Sequence, residues 1–157
     1  MILNYTKFLE SLKNIEVVRC QKNEDSYHFL EKHLKNIISK NDYINNENLF
    51  QVCGYDGGKL ISVRCFKMKD NKIHLNYSAV DENYRKFGIN RRMFNLIKQI
   101  AQKNDIHLIT VNVRGSNKDS LNSLLKSGFQ INNSVDLKYP DGEKKYHSTL
   151  NYDFKIY

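Results

Sequence analysis

The stretch His74-Leu75-Asn76-Tyr77-Ser78-Ala79-Val80-Asp81-Glu82-Asn83-Tyr84-Arg85-Lys86-Phe87-Gly88-Ile89-Asn90 decides the fold. In its first part, polar His74, Asn76 and Ser78 alternate with apolar Leu75, Tyr77 and Ala79, the period of a strand with one wet and one dry face. It then passes through a short polar loop into Met93, Leu96, Ile97, Ile100 and Ala101, spaced as on a helix that buries one stripe. The pattern predicts a strand over 72–80 and a helix over about 88–104. A loop that enters a helix in this way leaves backbone N–H groups unpaired at the positive end of the helix dipole, where an anion is held readily. Gly88 lets the backbone approach a pyrophosphate closely. Arg85, Lys86, Arg91 and Arg92 add positive charge around it, which suits a ligand with several phosphates.

Upstream, Leu49 to Gly54 and Lys59 to Lys67 read as strands joined by Tyr55-Asp56-Gly57-Gly58, a hairpin signal because glycine accepts the positive φ of a tight turn. Lys69-Asp70-Asn71 turns the chain again, giving a three-stranded meander. Earlier still, Tyr5, Phe8, Leu9 and Leu12 predict a helix over 3–13, Glu16 to Cys20 a strand, and Phe29 to Ile38 one helical face. Downstream, Ile106 to Val113 is a β-branched strand, Asn117 to Lys126 a helix ended by Gly128, and Phe129 onward strand again. Tyr139-Pro140-Asp141-Gly142 reverses the chain between two final strands, the last over 147–154. Helices between strands call for parallel pairing in the second half and hairpins for antiparallel pairing elsewhere, so a mixed α/β sheet is expected.

The chain has 157 residues with 40% hydrophobic and 27% charged side chains, enough for one sizeable core, and it reads as a single domain over 1–157. No apolar run approaches membrane-spanning length, and Asn4, Lys7 and Glu10 interrupt any signal-peptide core. The net charge of +8 points to an anionic partner, although the abundance of Lys, Asn and Ile also fits AT-rich coding. Three cysteines, Cys20, Cys53 and Cys65, without a C-x-x-C pair or a histidine at ligand spacing, read as reduced thiols in a cytoplasmic protein with no metal site.

The loop resembles the signature of the GNAT superfamily of N-acetyltransferases: Arg or Gln, two residues, Gly, one residue, then Gly or Ala. Here it stands as Arg85-Lys86-Phe87-Gly88-Ile89-Asn90, with Asn at the last position. Asn117, Ser120, Gly128 and Phe129 match in spacing the superfamily's Asn-x-x-Ala helix that ends in Gly-Phe. The resemblance implies a single-domain α/β fold with a mostly antiparallel mixed sheet and a splayed central pair of strands, flanked by helices. It implies acetyl-CoA, or another acyl-CoA, as cosubstrate. Its pyrophosphate would rest on the amides of Arg85, Lys86, Phe87, Gly88, Ile89 and Asn90. Its pantetheine arm would lie along the backbone near Ala79 and Val80, with Asn117 and Ser120 beside it.

The implied activity is acyl transfer to a primary amine, on a small molecule or a peptide, by direct attack. The resemblance makes His74 the candidate base, with Asp81 and Glu82 behind it. Where many members carry an acid tyrosine this chain has Leu124, so solvent or another hydroxyl, Tyr146 or Ser123, protonates the thiolate, or the enzyme works without a dedicated acid. That leucine equally suits a sensor that binds acyl-CoA without turnover. A basic nucleic-acid-binding module is the weaker alternative, since apart from the phosphate loop no Lys or Arg run alternates with exposed aromatics on one element, and no helix-turn-helix or RNP-type motif is present. A homodimer is compatible with all of these.

Overall fold

In this computed structural model, which describes residues 14–132 and 137–151, the meander is built by two turns whose central residues all have positive φ. Gly57 and Gly58 (φ 54° and 86°) join β2 (Leu49–Asp56) to β3 (Lys59–Lys69), and Asp70 and Asn71 (φ 54° and 59°) join β3 to β4 (Lys72–Val80). Two successive left-handed residues match the twist of the flanking strands, and glycine, Asn and Asp tolerate that region best. β1 (Ile15–Cys20) pairs antiparallel with β2 from Ile15↔Asp56 to Cys20↔Gln51. The seven-stranded sheet has the order β1-β2-β3-β4-β5-β7-β6, with β5 (Leu108–Arg114), β6 (Gln130–Asn132) and β7 (Lys145–Asn151). β4 and β5 run parallel, and their pairing covers Lys72–Leu75 against Leu108–Val111. The sheet is mixed and mostly antiparallel, as expected.

The described residues pack as two compact units, 14–66 with 77–100, and 67–76 with 101–132 and 137–151. In the first, α1 (Glu24–His33) and α2 (Lys40–Asn45) close over Leu49, Cys53, Val63, Cys65 and Ala79 with Tyr27, Leu30 and Tyr43. Burying each large side chain contributes about 1.5–3 kcal/mol. Asn23 and Ser26 form a capping box at the start of α1, the amide of each bonded to the other's side chain. Tyr43 is fully buried, and its hydroxyl is satisfied by Ser26 Oγ and Gln51 Oε1. Burial pushes that phenol far above its ordinary pKa. The unit also holds α3 (Ile89–Lys103) as far as Ile100. In the second unit, α4 (Lys118–Lys126) precedes Gly128, whose φ of 91° ends it, and a Cβ there would lie 3.5 Å from Leu150.

Three readings need correcting. The helical face drawn from Phe29 to Ile38 is broken after His33. Leu34 is extended (φ −124°, ψ 140°), and a separate short helix, capped by Ser39 onto the Asp42 amide, follows. The cysteines are not all thiols. β1 and β2 place Cys20 diagonally from Cys53, with Val18↔Cys53 and Cys20↔Gln51, and the two are joined in a disulfide with Cα atoms 6.1 Å apart. Only Cys65 keeps its thiol, which burial pushes up to about 12. The last strand, expected over 147–154, starts earlier and covers 145–151 among the described residues. The helix expected over 3–13 lies outside the described residues. Among those described, no helix is long and apolar enough to cross a membrane, and no group of His, Cys, Asp and Glu is arranged to hold a metal ion.

Candidate active site

In the first unit the loop expected to bind an anion is built from both ends. Asp81 N–H donates to Ile61 O at 2.8 Å, and the Asp81 carboxylate accepts from Asn83 N–H at 2.9 Å, starting a single 3₁₀ turn over Glu82–Tyr84. Tyr84 Oη donates to Asp56 Oδ2 at 2.6 Å, tying the turn to the β2–β3 hairpin, and this bond raises the phenol to about 12. Lys86 (φ 68°) and Gly88 (φ 77°) are both left-handed. A Cβ on Gly88 would meet nothing within 4 Å, so the glycine serves backbone conformation and an open approach. The first intrahelical bond of α3 runs from Arg92 N–H to Gly88 O at 3.0 Å, leaving the amides of Ile89, Asn90 and Arg91 ahead of it at the positive end of a 15-residue helix.

The side chains expected to surround a ligand are partly employed elsewhere. Arg85 folds back, its Nε donating to Val80 O at 3.2 Å, and Arg92 donates to Ile15 O at 2.7 Å. Asn90, which replaces the usual small residue, works as a staple: its Oδ1 accepts from Arg64 Nη1 at 3.0 Å and from Ser78 Oγ at 3.1 Å. Arg64 Nε is buried without a partner among the described residues, and burial lowers the guanidinium to about 10. Ala79 is buried in the core, Phe87 is 40% exposed, and Ile89 anchors the start of α3 at 2%.

In the second unit, His74 Nδ1 is hydrogen-bonded to Thr110 Oγ1 at 2.6 Å. Its pKa lies below the ordinary histidine value, first through burial and then through the neighbouring basic groups His147, Lys67, Lys72 and Lys145. It is therefore neutral at neutral pH, the form a base requires. His147 Nδ1 donates to Asn112 Oδ1 at 2.8 Å. The polar face expected over His74, Asn76 and Ser78 is thus divided in its bonding, since Ser78 turns to Asn90 and His74 to Thr110. Tyr146 pairs with Val113, so it takes the face opposite His147 and His74, its ring against Gly115, where a Cβ would lie 3.2 Å away. Asn117 caps α4, its Oδ1 accepting from Ser120 N–H at 3.2 Å, which leaves its amide NH₂ as a donor. Leu124 and Ser123 lie on that helix. Asp56, Arg64, Thr110, Asn112 and His147 were not singled out from sequence. The alternation of Thr110 and Asn112 with Ile109, Val111 and Val113 was the signal available for those two, while around His147 the polar Ser148 interrupts any such alternation.

This arrangement, an α/β sheet with an amide-lined loop opening a helix, is one that can hold an anion. The family model for the acetyltransferase (GNAT) family matches residues 9–129, and the chain belongs to that family. Among solved structures it is similar to the ribosomal-protein-S18-alanine N-acetyltransferase of Escherichia coli, with 17% identity over 90% of this chain and 99% of that one, TM-score 0.73. It is likewise similar to the IAA acetyltransferase of Bacillus cereus (16% identity, 88% and 99% covered, TM-score 0.74). A third is the PaiA N-acetyltransferase of Thermoplasma acidophilum in complex with coenzyme A (16% identity, 88% and 99% covered, TM-score 0.71). A search of curated protein sequences finds no match.

Proposed function

We propose that the chain transfers an acetyl group from acetyl-CoA to a primary amine by direct attack. The observation that carries this reading is the left-handed turn at Lys86 and Gly88, which leads the free amides of Ile89, Asn90 and Arg91 into α3 within a family-matched segment. Those amides and the basic side chains around them would hold the pyrophosphate. The fit is physical: an open backbone, a positive helix end and no carboxylate in the Arg85–Arg92 segment.

His74, kept neutral by its surroundings, would take the proton from the attacking amine. The nitrogen bonds to the carbonyl carbon of the thioester, the C–S bond breaks, and CoA leaves as a thiolate. With Leu124 at the position of the usual acid, solvent supplies the thiolate's proton; Tyr146, on the sheet face opposite His74, is the less favoured donor. Most of the rate advantage would then come from positioning the two reactants rather than from a dedicated acid. An enzyme that consumes acetyl-CoA works where that thioester is kept, so a cytoplasmic site of action goes with the reading.

Leu124 also favours the second reading, a sensor that binds acyl-CoA without turnover. Calorimetric titration of acetyl-CoA followed by a thiol-release assay with a panel of amines separates the two. Saturable binding with thiol release supports the enzyme, saturable binding without release supports the sensor, and no saturable heat removes both.

A further inference from the structure

In the second unit the strand register sorts side chains onto two faces. Lys72 and His74 of β4 stand against Leu108 and Thr110 of β5, and Thr110 and Asn112 stand against Thr149 and His147 of β7. Side chains alternate across a strand, so this set shares one face while Ile73, Ile109, Val111, Val113 and Leu150, all buried, take the other. Apart from Leu108, the first face is a row of hydrogen-bonding groups, with both imidazoles held in fixed orientation by Thr110 and Asn112.

The charged groups that act on His74 are all basic, although Asp70 lies in the turn between Lys67 and Lys72. Lys72 precedes His74 by two residues on the same strand, Lys145 precedes His147 in the same way, and Lys67 near the end of β3 acts on His74 through space. The acidic groups nearest in sequence to β7, Asp141 and Glu143, are taken by Arg114 at 2.6 and 2.9 Å. Lys145 is drawn over the Tyr139 ring, 4.8 Å from its centroid. Lys67 and Lys72 are exposed, and neither has an ion-pair partner among the described residues.

A primary amine reaches such a face as an ammonium ion and is repelled by it. An anionic group on the same molecule offsets the repulsion and fixes the orientation, and the same positive field then eases loss of the amine's proton. We propose that this face receives the acceptor, and that the acceptor is a small amine carrying its own anionic group, a carboxylate or a phosphate, drawn toward Lys67 and Lys72 while the amine meets His74. The inference rests on the acyl-transfer reading, because it takes His74 as the group that receives the amine's proton. It disfavours polyamines and polycationic amino sugars, which bring no offsetting charge.

The test is an NMR titration of the histidine imidazole resonances in CoA-saturated protein. The probes are phosphoethanolamine and β-alanine, their uncharged-tail counterparts ethanolamine and propylamine, and spermidine. The two anionic amines should shift the His74 and His147 resonances saturably, with the better of them binding at least about tenfold more tightly than its counterpart. Whether phosphoethanolamine or β-alanine gives the larger margin tells phosphate from carboxylate. In a Lys67→Met/Lys72→Met protein the margin should fall to about threefold or less, with acetyl-CoA affinity unchanged. Equal binding of charged and uncharged members, tightest binding of spermidine, or no response of either imidazole overturns the inference while leaving acyl transfer standing. A separate titration in which acetyl-CoA fails to bind overturns the acyl-transfer reading, and this inference with it.

Discussion

Replacing Gly88 separates two roles that a glycine at a helix entrance can play. Its φ of 77° is a conformation that an L-residue adopts at a cost of about 1–2 kcal/mol. Nothing lies within 4 Å of the position a Cβ would take, so no steric term adds to this. Gly88→Ala should therefore lose only that backbone term, a fall in Tm of about 2–8 °C for a chain of this length. Gly88→Asn should lose less, since asparagine visits the left-handed region more readily. Gly88→Trp should resemble Ala in stability, because its side chain projects into open space, yet it would cover the amides that follow. Losing one or two charge-assisted hydrogen bonds, each worth about 1.5–3 kcal/mol, weakens acetyl-CoA binding by about tenfold to 10⁴-fold. Thermal denaturation and calorimetric titration of the three variants supply both numbers. Wild-type acetyl-CoA affinity in Gly88→Trp would refute the loop assignment. A much larger stability loss in Trp than in Ala would refute the open-space argument.

His74→Ala should lower kcat about 10²- to 10⁴-fold with the KM for acetyl-CoA little changed, and should abolish the acid limb of the wild-type pH–rate profile. Because the folded His74 pKa is below the unfolded value near 6.5, the unfolded chain binds the proton more readily. His74's stability contribution is therefore complete above about pH 6.5 and declines as pH falls toward the folded value; urea titrations from about pH 5 to 8 should show a shallower acid decline in His74→Gln. Tyr84→Phe leaves Asp56 without its 2.6 Å partner and should raise the acetyl-CoA dissociation constant several-fold through a looser loop, with kcat at saturation unchanged. Reducing the Cys20–Cys53 bond, which closes 33 residues of sequence separation, should cost about 2–4 kcal/mol; no change in Tm on reduction, with alkylation mass showing two additional thiols, would show the bond to be energetically idle.

The elements most legible in the sequence were those with a local cause. Asp-Gly-Gly and Asp70-Asn71 announce their turns because few residues tolerate φ above zero, and the α3 stripe announces a helix because its apolar residues recur at 3.6. The break after His33 was hidden because Leu34, Ile37 and Ile38 continue a helical spacing while packing against the α1–α2 core from irregular backbone. The disulfide was hidden because the separation of Cys20 and Cys53 says nothing until β1 and β2 are in register. In the candidate site, the backbone loop was readable from its glycine and basic residues, whereas Tyr84–Asp56, Arg64–Asn90 and His147–Asn112 join residues 26 to 35 positions apart that only folding brings together. His74 was legible as a polar strand residue, but the charges that set its protonation come from three strands.

The double acceptance by Asn90 has a consequence for how a ligand would be received. With its carboxamide oxygen clasped by Arg64 and Ser78, the opening turn of α3 is tethered to β3 and β4 before anything binds. The cost of arranging that turn is met once, when the chain folds, and is not charged again at each encounter. Affinity at this spot would then reflect the contacts themselves, and cutting the tether should appear as a larger ordering entropy on binding even where every amide contact survives.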